Sequence, residues 1–62
     1  MKGSDFAEWR KARYKSQAEA GEALGLSRRT VANHEIPNAD IPKTIRLAMA
    51  ALSLGLTDYP KQ

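Results

Sequence analysis

The chain has 62 residues, with ten Lys and Arg against seven Asp and Glu, one His and no Cys. A chain this short makes one domain of marginal stability, and without cysteine it has neither disulfide staples nor thiolate metal ligands. The net charge of +3 favours an anionic partner without proving one.

The distribution of charge says more than its sum. Arg10, Lys11, Arg13 and Lys15 stand close together with no acid among them, and Arg28 and Arg29 are adjacent. No targeting segment is evident: Met1–Ser4 leads into charged helix, and the longest apolar run, Leu47–Leu52, is far too short to span a bilayer. A soluble cytoplasmic protein with no membrane partner is expected. No strand-like alternation and no repeat appears, so the fold class expected is all-α.

Proline and glycine divide the sequence into four helical pieces. The first is predicted from Phe6 to about Tyr14, with Asp5 as cap and Glu8 completing a capping box. Phe6, Trp9, Arg10 and Arg13 share one of its faces. The second begins after Ser16, where Ser16-Gln17-Ala18-Glu19 has the capping-box spacing, and ends at Gly25, which enters the left-handed conformation without steric cost. Gly21 lies inside this helix at a propensity cost of about 1 kcal/mol against alanine, which suggests that its missing side chain is used as space.

Ser27 is expected to cap a third helix, Arg28 to about His34, closed off by Pro37. Leu24, Leu26 and Val31 would form a small core beneath the second and third helices, leaving Arg28, Arg29 and Asn33 outside. A fourth helix is expected from Pro42, taken as its first residue, with Ile45, Ala48, Met49 and Leu52 at helical spacing and Gly55 ending it. Residues 57–62 are expected to form a short loose tail of the single domain, 1–62.

The middle of the chain carries the functional signal. Arginine can donate two parallel hydrogen bonds to a guanine edge, and asparagine can pair with an adenine edge, so Arg28, Arg29 and Asn33 on an outward helix face suit a DNA major groove. Ser16, Gln17 and Ser27 occupy helix amino ends, whose free amides attract phosphate. Lys11, Lys15 and Lys43 would add charge contacts that position without reading sequence. His34 is expected to pack at the end of its helix, and Trp9 and Phe6 to be core. Paired catalytic carboxylates, a nucleophile–base pair and a metal set are all lacking, so no enzyme, cofactor, metal or small-molecule ligand is expected.

Ser16-Gln17-Ala18-Glu19, followed by Ala23-Leu24-Gly25-Leu26-Ser27-Arg28-Arg29-Thr30-Val31 and then Glu35, resembles the helix-turn-helix family of phage repressors, Cro-type regulators and their XRE-like bacterial relatives. The likeness runs from about Phe6 to Leu54. It implies a compact four- to five-helix lambda-repressor-like domain. It also implies base contacts at Arg28, Arg29 and Asn33, and backbone contacts at or near Gln17, Ser27 and Thr30. Arg10 and Glu35 stand where the family pairs an arginine with a glutamate as a structural salt bridge. The chain departs from the pattern at Tyr14-Lys15, at Arg13 (usually apolar), at Gly21 (usually alanine) and at His34 (usually large and apolar).

Met49, Leu52, Leu54, Leu56 and Tyr59 exceed what one face of the last helix needs, and partial use in a two-fold homodimer is expected. Two copies would set recognition helices roughly 34 Å apart and read an inverted repeat in double-stranded DNA. The function expected is therefore a transcriptional regulator, a dimeric repressor of phage or mobile-element type controlling its own or a neighbouring gene. The alternative is an antitoxin-type module that binds a protein and its own promoter, although no long disordered tail is present to wrap a toxin.

Overall fold

A computed structural model describes residues 1–59. Four helices follow one another: α1 (Gly3–Arg13), α2 (Gln17–Leu24), α3 (Arg28–His34) and α4 (Lys43–Ser53). Among the described residues there is no strand, only an isolated antiparallel bridge between Lys2 and Asp40. Among the described residues no helix is long and apolar enough to cross a membrane. α3 packs on α2 and α1, and α2 packs also on α4. The centre is Phe6, Ala20, Val31, Ile41 and Met49, with Trp9, Tyr14, Leu24, Leu26 and Ile45 packed around it.

α1 starts three residues before the expected Phe6. Asp5 is its third residue, not its cap, and the Asp5 carboxylate accepts from the Lys2 amide at 3.0 Å. The early start has a tertiary cause. A helix amino end leaves amides without partners, and here carbonyls of the α3–α4 connection take them: Gly3 N–H donates to Ala39 O at 2.8 Å and Ser4 N–H to Pro37 O at 3.2 Å. In return, Ile41 N–H donates to Met1 O at 3.2 Å. The contact is so close that a Cβ on Gly3 would lie 1.7 Å from Ile36 O. Lys2 and Asp40 also form an ion pair at 2.6 Å, which holds the Asp40 carboxyl below its ordinary range. Both side chains are solvent-exposed, so the pair adds little to stability.

The turn between α2 and α3 forms as the sequence predicts. Ser16 Oγ accepts from Glu19 N–H at 3.1 Å; the reciprocal bond from the Ser16 N–H to the Glu19 carboxylate is not made among the described residues. Gly25 is left-handed, with φ +74°. Leu26 N–H donates to Gly21 O at 2.8 Å, and a Cβ on Gly21 would meet Leu26 O at 2.5 Å. The space at Gly21 thus admits the backbone of the turn.

α4 begins one residue later than expected. Pro42 is its cap, and its carbonyl accepts from Ile45 and Arg46. Gly55 (φ +86°) ends the helix as anticipated. Met49 and Leu52, two of the expected interface residues, are only 4% and 7% exposed. They close the core of the chain itself and are withdrawn from the interface set. Their spacing with Ile45 places them inward, and the small Ala20 and Ala23 of α2 leave room for close helix approach. No fifth helix occurs among the described residues; residues 57–59 have no regular structure, and the remainder of the expected loose tail, 60–62, lies outside the described residues.

Replacing Gly3 by alanine should lower stability by about 1–3 kcal/mol, because the new methyl group cannot be seated without backbone movement, although alanine is the better helix former. A urea midpoint equal to or above that of the parent chain would show that the approach at Ile36 is not tight.

Candidate functional site

α3 carries three of the residues singled out from the sequence. Arg28, Arg29 and Asn33 are all exposed, while Val31 on the opposite side is fully buried. Among the described residues, no side-chain hydrogen bond or ion pair within the chain engages Arg28, Arg29 or Asn33. The outer face of α3 therefore presents two uncommitted guanidinium groups and an uncommitted amide.

The amino end of α3 is held by its own hydroxyls. Ser27 Oγ accepts from Thr30 N–H at 3.1 Å and lies 2.9 Å from Thr30 Oγ1. Ser16 at the start of α2 is likewise occupied by a capping bond. Each hydroxyl retains hydrogen-bonding capacity beyond its cap, but its position is set by the helix end. Lys11, Lys15 and Lys43 are exposed.

Behind the outward face lies an ion pair. Arg10 Nε donates to Glu35 Oε2 at 2.6 Å and Arg10 Nη2 to Glu35 Oε1 at 3.1 Å, a bidentate contact between side chains only 10% and 12% exposed. The Arg10 hydrogen bond holds the Glu35 carboxyl below its usual range against the opposing effect of burial, and the same bond raises the Arg10 guanidinium. Glu35 caps the carboxyl end of α3, where a negative charge is ordinarily unfavourable; Arg10 neutralises it there. The pair anticipated by resemblance is thus formed.

Gln17 takes part in the same contact. Its Nε2 donates to Glu35 Oε1 at 3.2 Å. This narrows the role expected of it: one side-chain N–H is committed inward, and the second N–H, the side-chain carbonyl oxygen and the backbone amide remain for an outside partner. One carboxylate therefore joins α1, α2 and the end of α3.

Arg13 leaves the basic cluster altogether. Arg13 Nη2 donates to Leu52 O at 2.7 Å, and its guanidinium lies 5.7 Å from the Trp9 ring centroid. Trp9 Nε1 donates to Ser53 Oγ at 3.0 Å. Arg13 and Trp9 together bind the last turn of α4, where carbonyls lack helical partners and a cation is favourable. No local sequence signal could have found this, since 39 residues separate Arg13 from Leu52. His34 sits with its ring 5.6 Å from Phe6, edge to face, as a packed residue. No cluster of three His, Cys, Asp or Glu suited to a metal occurs among the described residues.

Comparison with protein-family models, with curated proteins and with solved structures finds no match in any of the three.

Glu35→Ala should destabilise the fold by about 3 kcal/mol, because it strands the Arg10 charge in a largely buried position; a loss within the scatter of exposed substitutions would show that Arg10 finds water instead. The pH dependence has a definite sign. Because the Glu35 carboxyl titrates lower in the folded chain, its contribution is complete above the ordinary glutamate value of about 4.3. It is lost as the pH falls from there through the folded value. Acid unfolding of Glu35→Gln should therefore be shallower than that of the parent, as read by helical circular dichroism.

Proposed function

We propose that α2, the Gly25 turn and α3 act as a helix-turn-helix within a lambda-repressor-like fold, and that this chain is a sequence-specific DNA-binding transcriptional regulator. The observation that carries the reading is the outer face of α3: the side chains of Arg28, Arg29 and Asn33 are exposed and, among the described residues, make no intrachain hydrogen bond or ion pair, on a helix fixed at both ends. Two exposed arginines on a helix could be a merely solvated face. The case here is stronger because the chain commits Arg10 and Arg13 internally and leaves these two uncommitted.

In this reading, α3 enters the major groove and Arg28 and Arg29 meet guanine edges, with Asn33 at an adenine edge. Lys11, Lys15 and Lys43 meet phosphates, together with backbone amides at Gln17 and Ser27. A dimer covers two half-sites of an inverted repeat about one helical turn apart. Occupancy of a promoter by that dimer excludes polymerase, which makes the regulator a repressor of its own or a neighbouring gene, in the manner of phage and mobile-element regulators. The buried Arg10–Glu35 pair does not touch DNA; it sets the angle at which α3 is offered.

Selection of bound fragments from random duplex DNA tests the reading directly. A palindromic consensus is expected, and absence of binding at low salt would end it. Arg28→Ala or Arg29→Ala should weaken the selected site by about 1–3 kcal/mol relative to unrelated duplex, seen as lost discrimination in competition gel shifts. Lys15→Ala should instead weaken all sequences alike and reduce the dependence of affinity on salt; a base-selective effect would mean that Lys15 reads the groove.

A further inference from the structure

We propose that the groove between α2 and the carboxyl end of α4 is a docking site for another protein, and that its occupant is a basic amphipathic segment: apolar side chains on the groove floor, Lys or Arg against an acidic rim. The proposal does not rest on the DNA-binding reading.

Small residues open the groove. Ala23 of α2 and Ala48 and Ala51 of α4 line one hollow where the two helices pack, and all three are half-buried. Methyl groups leave unfilled the space that leucines would take. Leu52, itself buried, lies beneath. Beyond Gly55 the chain adds Leu56 and Tyr59 as a wall, 58% and 77% exposed. The hollow has a volume of about 370 Å³ and opens to solvent. A second open hollow, bounded by Tyr14, Glu19 and Glu22, adjoins it through Ala23, which lines both.

Charge here runs against the rest of the chain. The net charge is +3, yet none of the described Lys and Arg residues lines either hollow, while Asp58 lines the first and Glu19 and Glu22 the second. These acids are uncommitted. Among the described residues, the two ion pairs use Asp40 and Glu35, and Asp5 accepts from the Lys2 amide. Of the remaining acids, Glu8 alone stands away from the groove. Glu19, Glu22 and Asp58 are exposed and unpaired, apart from the bond that Asp58 accepts from the adjacent Tyr59 amide.

This combination selects the occupant. Carboxylates on the rim repel phosphate, which disfavours nucleic acid and anionic lipid. Groove against groove in a second copy would set acid against acid, since a two-fold contact meets itself. A wholly apolar ligand would leave the rim unused. An amphipathic segment satisfies both features: apolar side chains anchor in the hollow, and flanking cations meet the carboxylates.

The probe is a peptide of about 15 residues made of Leu and Lys, its leucines at helical spacing, together with a counterpart carrying Glu for Lys. In nuclear magnetic resonance titrations of the full chain, the Leu–Lys peptide should move the backbone signals of Ala23, Ala48, Ala51 and Tyr59 saturably, and the Leu–Glu peptide should not. Glu22→Lys and Asp58→Lys, both at exposed positions, should each weaken the Leu–Lys peptide about threefold or more. Glu8→Lys makes the same charge change elsewhere and should leave affinity unaltered. Absence of a saturable shift, equal binding of both peptides, or an effect of Glu8→Lys as large as that of Glu22→Lys would each overturn the proposal. So would shifts at the same residues on concentrating the chain alone, which would give the groove to a second copy. Duplex binding separates this site from the function: a chain that takes the peptide but no DNA keeps the groove and ends the regulator, and the reverse result ends the groove alone.

Discussion

The fold turns on the Glu35 carboxylate. It accepts two bonds from Arg10 and one from Gln17, so a residue at the end of α3 holds α1 and α2 at once. The apolar core is small: among the large side chains of the described residues only Phe6 and Val31 are fully buried. A small apolar core is non-directional and tolerates sliding, whereas a bidentate guanidinium–carboxylate pair has one good geometry. Removing two charges from water costs much of what the pair returns, so its value here lies in orientation more than in net stability. The other end of α3 is set by a backbone device, the left-handed Gly25 with the Leu26 amide clasped to Gly21 O and the Ser27 cap beyond it. A seven-residue helix too short to persist alone is thereby held at both ends.

The same economy governs the basic residues. Arg10 is paired to Glu35, Arg13 caps α4 across Trp9, and Lys2 faces Asp40. The first two hold helices to one another, while the third is an exposed pair that adds little. Lys11, Lys15, Arg28 and Arg29 stand in solvent, so the positive surplus is presented outward and includes the face of α3. Leucines divide in a comparable way: Leu52 is sealed in the core while Leu47 of the same helix and Leu54 at its cap are exposed. A helix wheel centred on Met49 explains the division.

The amino terminus contributes more than a flexible lead. Met1–Ser4 exchange backbone bonds with the connection between α3 and α4, which bears the Ile36–Ala39 turn. Gly3 is the residue that makes the approach possible, since any side chain there would collide with the Ile36 carbonyl.

Much of this was legible in the sequence, and the division has a physical cause. The all-helical class, the caps at Ser16 and Ser27, the stops at Gly25 and Gly55 and the inward row of α4 depend on groups within about four residues of one another, so the order of residues determined them alone. The outward set of Arg28, Arg29 and Asn33 followed once Val31 was placed inward. Tertiary structure alone decided the rest: the start of α1 at Gly3, the commitment of Gln17 to Glu35 and the departure of Arg13 to α4. Each depends on an atom 18 to 39 residues away, and no spacing rule reaches that far, because what lies opposite a side chain is settled only when the helices have packed.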